Sequence, residues 1–485
     1  MRAALGSFYH LHDKSLAAST CCGLACFVAR ARDPARWQRA CWPAERVYCL
    51  GKCYGAPATA TDTARPIIRV DASEAVVLRN VAARRATTLG TYRASGRYDA
   101  LERAIQRAPE EVVAAIETSG LRGRGGAGFP TGRKWWSVFH QAAAEKFVVA
   151  NADEGDPGAY VDRFLLEDDP HCVIEALAIA GYALGARRGY VYLRAEYPAA
   201  QVSLSNAIEE ARSAGLLAAP LGGGRFSFDV QLEIGRGSYV CGEETALLNA
   251  IEGVRPEVRA RPPYPAESGL FGRPTLVNNV ETLAAVPWIV EHGGDAYRAL
   301  GFSTSRGTKV ESLNSLFRQP GLYEVEFGMP VRYIVEQLGG GLRSGSLKGV
   351  IVGGPLAGVI PPWLLDTPFG FDELQAIGAS VGHGGVVAFD ERTSIPDLVH
   401  HVFDFGAYES CGKCTPCRLG TRRIEQIFSR IVSTGRAGRR DGDEWRELID
   451  TLALTSLCGH GSGLAEFAAS IVKHYAGELA SCFEP

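Results

Sequence analysis

The stretch Gly120-Leu-Arg-Gly-Arg-Gly-Gly-Ala-Gly-Phe-Pro-Thr-Gly-Arg-Lys-Trp-Trp136 puts six glycines and four cationic side chains into seventeen residues. A packed core has no use for that composition. Glycines at this density let backbone N–H groups approach a bulky anion, and Arg122, Arg124, Arg133 and Lys134 add charge suited to a phosphate. The stretch reads as a nucleotide cradle. Gly123, Gly125 and Gly128 match the letters GxGxxG, but that fingerprint needs a preceding strand, and Glu110 to Ser119 has helical spacing. An ordinary Rossmann turn is excluded on that context, and a plain surface loop would not carry Phe129, Trp135 and Trp136.

Beyond the cradle the chain alternates strand and helix. Lys146 to Ala150 is a short apolar strand that runs into Asn151-Ala-Asp-Glu-Gly-Asp-Pro-Gly158. Carboxylates at a strand's carboxyl end sit where open α/β sheets bind ligands, so Asn151, Asp153 and Glu154 are candidates for a ribityl or ribose chain, against a plain Asp-Pro-Gly turn at Asp156. His171 to Gly185 reads as a core helix, Tyr190 to Arg194 as a strand, Pro198 to Ala214 as a helix and Phe226 to Ile234 as a strand. This rhythm predicts a parallel sheet. Gly235 to Cys241 is a second glycine turn, carrying Arg236 and Tyr239, and the helix from Gly242 to Glu252 has Glu243 and Glu244 in its first turn, where the helix dipole favours acids. Asn278 and Asn279 offer donors and acceptors to a heterocycle edge. Leu313 to Gly354 predicts a small α+β insert with no chemistry visible in its residue types.

The 13 cysteines are clustered, which in a reducing compartment points to metal rather than to disulfides. Cys411, Cys414 and Cys417 are followed at a distance by Cys458, the pattern of a 4Fe-4S cluster; zinc more often uses two separate pairs. His460 reads as a neighbour of that cluster, not as a ligand. Near the start, Cys21 with Cys26 and Cys49 with Cys53 form two pairs that suit a 2Fe-2S centre, with zinc or no metal as the alternatives, while Cys22 and Cys41 read as buried apolar residues.

Length sets about three domains. The net charge of −3, without a basic block, argues against nucleic acid as a partner. His10, His12, Asp13 and Lys14 interrupt the first twenty residues where a signal peptide would be apolar, and no apolar run reaches membrane-spanning length, so a cytoplasmic protein is expected.

Taken in order, Gly123 to Gly132, Asn151-Ala-Asp-Glu-Gly155, Cys241-Gly-Glu-Glu-Thr245, Val277 to Thr282 and the Cys411 to Cys458 set resemble the NADH-binding flavoprotein subunit of respiratory complex I and its soluble relatives. The resemblance runs from about Tyr98 to the C terminus. It implies an α/β fold with a Rossmann-like FMN/NAD domain over 95–300, a ubiquitin-like insert over 310–360 and a helical 4Fe-4S domain over 395–485. Carried over onto this sequence, FMN contacts fall on Gly123, Arg124, Gly125, Lys134, Asn151, Asp153, Gly242, Glu243, Val277, Asn278, Asn279 and Thr282. NAD contacts fall on Phe129, Glu244 and Tyr264. Where the respiratory subunit usually reads Glu-Pro-Gly, this chain has Asp156-Pro-Gly158.

Residues 1–75 resemble the thioredoxin-like 2Fe-2S subunit, with Cys21, Cys26, Cys49 and Cys53 matching its ligands across a shorter spacer. The combination looks most like the diaphorase subunit of a soluble NAD-dependent formate dehydrogenase. The partners so implied are a formate-oxidising catalytic subunit and a small 2Fe-2S subunit. The diaphorase of an NAD-reducing hydrogenase, or an electron-transfer scaffold without turnover, are the alternatives. No side chain is needed as acid or base, because hydride passes between nicotinamide and flavin; Lys134 and Glu244 are expected to supply orientation and field.

Overall fold

The computed structural model describes Leu11, Leu16 and residues 19–40, 46–84, 88–224 and 226–484. Cys41 and most of the first eighteen residues lie outside the described residues.

The chain's first strands, β1 (Thr20–Cys21) and β2 (Arg46–Val47), form a parallel two-stranded sheet, and β3 (Ile67–Val70) leaves them. It pairs in parallel with a strand some 250 residues further on. Among the described residues, then, the expected thioredoxin-like unit is a small cysteine-bearing cap whose last strand belongs to another sheet.

Four parallel strands make the central sheet: β4 (Phe147–Ala152), β5 (Arg188–Leu193), β6 (Asp229–Ile234) and β7 (Thr275–Asn279), in the order β6-β5-β4-β7. Helices Pro170–Leu184 and Pro198–Ser213 supply the crossovers. The first of these is buried almost throughout, as its Ala/Leu/Ile composition requires, and ends on Gly185 at φ 73°. Because β5 and β6 build outward on one side of β4 and β7 is added on the other, the topological switch lies between β4 and β7. Ligands of open α/β sheets bind at the carboxyl ends of strands at such a point.

Two helices precede the glycine loop. Pro109 cannot extend the helix before it, so Asp99–Gln106 stops and Pro109–Thr118 starts afresh with proline in its first turn. The second glycine turn likewise ends as a tight turn at Tyr239–Gly242, and the α-helix begins only at Glu244.

A hairpin of β8 (Gly301–Phe302) and β9 (Ser305–Arg306) leads into the second large sheet. That sheet holds β10 (Thr308–Leu313), β11 (Gly321–Glu326), β12 (Leu347–Val352), β13 (Val359–Ile360) and β14 (Gly385–Asp390), with β3 at its edge. The insert is thus wider than 310–360 and mixed in strand direction. Lys309 on β10 reaches back to Glu281 in the helix Val280–Ala284 that follows β7, Nζ to Oε2 at 2.5 Å, with both side chains fully buried. The C-terminal part is helical: Ile395–Tyr408, Thr421–Thr434, Arg439–Thr455 and Gly459–His474 pack around the cysteine loops. Among the described residues no helix is long and apolar enough to cross a membrane.

Candidate functional site

The carboxyl ends of β4 and β7 and the glycine loop meet in one place. Gly125 lies so close to Asn279 that a Cβ there would come within 2.8 Å of the Asn279 Cβ. The Arg124 backbone N–H donates to Thr282 Oγ1 at 2.8 Å, and Thr282 N–H donates to Asn279 Oδ1 at 3.1 Å. The turn itself is closed by Gly123 N–H to the Phe129 carbonyl, 2.9 Å. Trp135 Nε1 donates to Asn278 Oδ1 at 3.0 Å, which fixes that amide. Val277 contributes backbone to β7 while its side chain packs with Phe147 and Val149 in the sheet's core.

On the opposite wall, Asn151 Nδ2 donates to the Gly242 carbonyl at 2.7 Å, and a Cβ on Gly242 would come 3.2 Å from the Asp153 carbonyl oxygen. Glu243 is occupied as a helix cap, accepting from Thr245 N and Ala246 N at 2.9 Å. Asp153 Oδ2 is buried and has no hydrogen-bond partner, and burial pushes its carboxyl well above the usual range. A buried carboxylate oxygen without a donor, beside a cradle where side chains would collide, fits a hydroxyl-bearing ligand such as the ribityl chain of FMN. Asp156 is also raised by burial, and it accepts from Tyr239 OH at 3.1 Å.

The structure places Arg124, Arg122 and Glu154 differently from the sequence expectation. Arg124 does not offer its guanidinium to a phosphate: the group is 1% exposed and donates to the Thr308, Arg122 and Arg306 carbonyls and to Tyr297 OH, leaning over the Phe327 ring. It is a strut between the glycine loop and β10. Arg122 is tied similarly, to Asp372 and the Gly128 carbonyl. Glu154 does not face a ribose either. Its carboxylate caps helix Val161–Asp168, accepting from the N–H groups of Val161, Asp162 and Arg163 and from Tyr197 OH.

The sequence also hid two contributors, Asp162 and His383. Asp162 accepts from Asn279 Nδ2 at 2.6 Å and meets His383 Nε2 at 3.0 Å, and His383 arrives on a loop of the insert between Gly382 and Gly384. Burial alone would lower the imidazole pKa, but Asp162 and Glu154 outweigh it and push His383 up to about 9. Donor atoms of Glu154, Asp162 and His383 lie within 4.8 Å of one another. Since Glu154 and Asp162 already accept from neighbouring N–H groups, the group is an internal charge cluster and not a vacant ion cage. Its only signal in sequence is a histidine flanked by glycines.

At the mouth, Lys134 Nζ sits 2.6 Å from Glu244 Oε2 and Arg261 Nη1 3.1 Å from Glu244 Oε1. Burial opposes ionisation, but Lys134 and Arg261 hold the Glu244 carboxyl below its usual range. Phe129 and Tyr264 stay exposed, at 53% and 55%, on segments flanking helix Thr131–Phe139.

The turn Tyr239–Gly242 links this crevice to the cysteines. Its Gly242 end faces Asp153, whereas Val240 lines a small apolar cavity shared by Cys411, Cys414, Cys417, Cys458 and His460. Four thiols around one apolar cavity fit a 4Fe-4S cluster. Ser410 Oγ lies 3.2 Å from Cys417 Sγ, and Cys458 stands immediately before helix Gly459–His474. His460 Nε2 is bonded to the Gly406 carbonyl at 2.8 Å, which leaves it a wall residue.

In the N-terminal cap, Cys21, Cys26, Cys49 and Cys53 are buried and converge: Cys49 and Cys53 sulfurs are 3.6 Å apart, and the Cys21 thiol faces both Cys26 and Cys49. Cys22 points away, its thiol donating to the Val47 carbonyl at 3.4 Å among Ala40, Tyr48 and Phe405.

With this geometry in view, the comparisons with known proteins are specific. Residues 116–288 match the family described as the Nuo51 FMN-binding domain, and residues 397–482 the NADH-ubiquinone oxidoreductase-F iron-sulfur binding region. The chain is 44% identical over 79% of its length to the NADP-reducing hydrogenase subunit HndC of Solidesulfovibrio fructosivorans, covering 78% of that protein. It is 42% identical over 85% of its length to an NADH-quinone oxidoreductase subunit of Rhizobium meliloti (strain 1021), covering 98% of it. The crystal structure of an NAD+-reducing NiFe-hydrogenase in the H2-reduced state superposes with a TM-score of 0.83 at 30% identity, over 100% of this chain and 88% of that one. The chain belongs to the family of NADH-binding flavoprotein subunits of NADH-quinone oxidoreductases. It is an oxidoreductase subunit with an FMN-binding domain and a 4Fe-4S region, and it passes electrons between NAD(H) and iron–sulfur centres.

Proposed function

We propose that the chain is the diaphorase subunit of a multisubunit enzyme and carries two iron–sulfur centres, a 4Fe-4S cluster on Cys411, Cys414, Cys417 and Cys458 and a 2Fe-2S cluster on Cys21, Cys26, Cys49 and Cys53. The observation that supports it most is the Tyr239–Gly242 turn, one face of which borders the flavin crevice and the other the 4Fe-4S cavity. FMN, when bound, converts between the hydride of a nicotinamide and the single electrons of iron–sulfur centres. The protein's part is placement. Gly123, Gly125 and the amides of Asn151, Asn278 and Asn279 hold the flavin, Asp153 and Asp156 meet its polar chain, and Phe129, Glu244 and Tyr264 receive the dinucleotide with Lys134 fixing Glu244.

Convergence of the four N-terminal thiols and the outward orientation of Cys22 support Cys21 as the fourth ligand of the 2Fe-2S centre. Leu419, Leu454 and Leu457 are exposed on the segments that carry Cys417 and Cys458, which suits a partner receiving electrons there. From its sequence resemblance, the partner is a formate-oxidising catalytic subunit accompanied by a small 2Fe-2S subunit, in the cytoplasm. A hydrogen-oxidising partner is the second reading, supported by the hydrogenases to which the chain is similar.

The test is to isolate the native complex through a tag on this chain and add formate or hydrogen anaerobically in the absence of nucleotide. Flavin bleaching with formate alone supports the first reading, with hydrogen alone the second. A chain that purifies without partners overturns both.

A further inference from the structure

Between the acid loop Asp153–Gly158, which follows β4, and the N-terminal cysteines lies a buried cation that flavin and nucleotide binding leave without a task. Arg194, the residue after β5, is 3% exposed, and its guanidinium is shared by two elements. Nη1 donates to the carbonyl of Glu154, in the loop that follows Asp153. Nη2 donates at 3.3 Å to the carbonyl of Tyr48, the residue before Cys49. Its counter-ion is Glu196, which is also buried and accepts from Nη2 at 2.9 Å and from Nε at 3.3 Å.

The surrounding contacts keep the cation in place. Its central carbon lies 4.9 Å from the Tyr197 ring centre, and Tyr197 in turn abuts Gly51, whose φ of +60° lets the Cys49–Cys53 turn close against the ring. On the other side of that turn, Gly23 packs on Pro157 so closely that a Cβ would come within 2.9 Å of the Pro157 Cβ. The cysteine cap therefore sits directly on the acid loop, with Arg194 in the seam. The field of Arg194 reaches Cys49, Cys53 and Asp153. Nothing in packing requires an ion pair there: a buried pair is weak evidence for stability, because desolvation offsets the attraction.

We propose that Arg194 tunes the N-terminal iron–sulfur centre, its buried positive charge beside Cys49 favouring the reduced cluster and so setting its potential against that of the flavin. This rests on the reading that Cys21, Cys26, Cys49 and Cys53 hold a 2Fe-2S cluster. Adding an electron makes a thiolate-bound cluster more negative, and a nearby cation in a low-dielectric seam stabilises that state. Glu196 moderates the effect with opposite sign.

Electrostatic tuning and mere packing give different results. The full chain carrying Arg194→Gln, Arg194→Lys or Glu196→Gln is purified, its iron and flavin are counted, and each cluster is titrated by EPR-monitored potentiometry, with the 4Fe-4S signal as internal reference. Arg194→Gln is expected to move the 2Fe-2S midpoint to more negative potential and Glu196→Gln to more positive potential. Arg194→Lys, which keeps the charge, stays near the native value, and the 4Fe-4S midpoint does not move. Midpoints unchanged in both charge-removing variants, or shifted equally for both clusters, overturn the proposal. Should Arg194→Gln fail to fold, Glu196→Gln and Arg194→Lys still decide the sign. A native chain with iron for the 4Fe-4S cluster alone overturns the 2Fe-2S reading, and the proposal falls with it.

Discussion

Lys134 and Glu244 come from opposite sides of the crevice and meet at 2.6 Å, joining the helix that follows the glycine loop to the helix that follows the second glycine turn. Arg261 binds the other oxygen of the same carboxylate, so Glu244 is held ionised and oriented at the mouth. Glu244→Gln is expected to raise the KM for NADH about tenfold, equal to about 1.4 kcal/mol of binding, while bound flavin is retained. Steady-state kinetics beside the flavin absorbance at equal protein concentration checks this. Because the Glu244 pKa is depressed on folding, the contribution of the pair is present above the ordinary carboxylate range and is lost as pH falls through the folded value.

Gly125 has no room for a side chain, since a Cβ would press on Asn279, which also accepts from Thr282 and donates to Asp162. Gly125→Ala should lower flavin content sharply and cost about 1–3 kcal/mol of stability through overpacking. Flavin released on denaturation, counted per chain, and a urea melt report the two effects separately.

The contrast between Gly125 and Arg124 shows how far sequence carries. Glycine spacing, the acids after a strand and the cysteine intervals are local signals, legible before any fold is known. Arg124 and Glu154 carry the same local signal, yet one is a strut to β10 and the other a helix cap, because their partners lie 184 and seven residues away and no spacing rule encodes them. His383 is the converse case: an insert with no visible chemistry delivers a charge to the crevice, through a loop whose approach depends on the whole second sheet. The cysteine cap was legible in its thiols but not in its sheet, since the strand that pairs with β3 lies beyond the whole central sheet in the sequence.

His383 gives a pH signature. Its folded pKa of about 9 lies above the ordinary imidazole value, so its pairing with Asp162 stabilises fully below pH about 6.5 and fades as pH rises through 9. His383→Gln should therefore lower the Tm near neutral pH, and the gap from the native chain should close toward pH about 10. Differential scanning calorimetry across that range tests it; a constant gap would contradict the assignment.

Lys309 and Glu281 form a fully buried pair between the two large sheets, and removing one partner strands the other charge. Lys309→Met should destabilise by about 3–5 kcal/mol, whereas the double change Lys309→Met with Glu281→Leu should recover much of that loss. Chemical denaturation of both variants measures the difference.

Cys458 closes the second cavity from a distant helix, so Cys458→Ala should remove the EPR signal of the 4Fe-4S cluster and its iron while leaving flavin reducible by NADH. Iron analysis and EPR on the same sample check it.

The chain passes electrons between NAD(H) and iron–sulfur centres, and flavin in this crevice is the proposed carrier. The most direct measurement is an anaerobic NADH titration of the purified chain, following flavin absorbance and EPR together. Rapid bleaching of the flavin with the appearance of reduced cluster signals is expected; bound flavin that NADH cannot reduce would overturn that role.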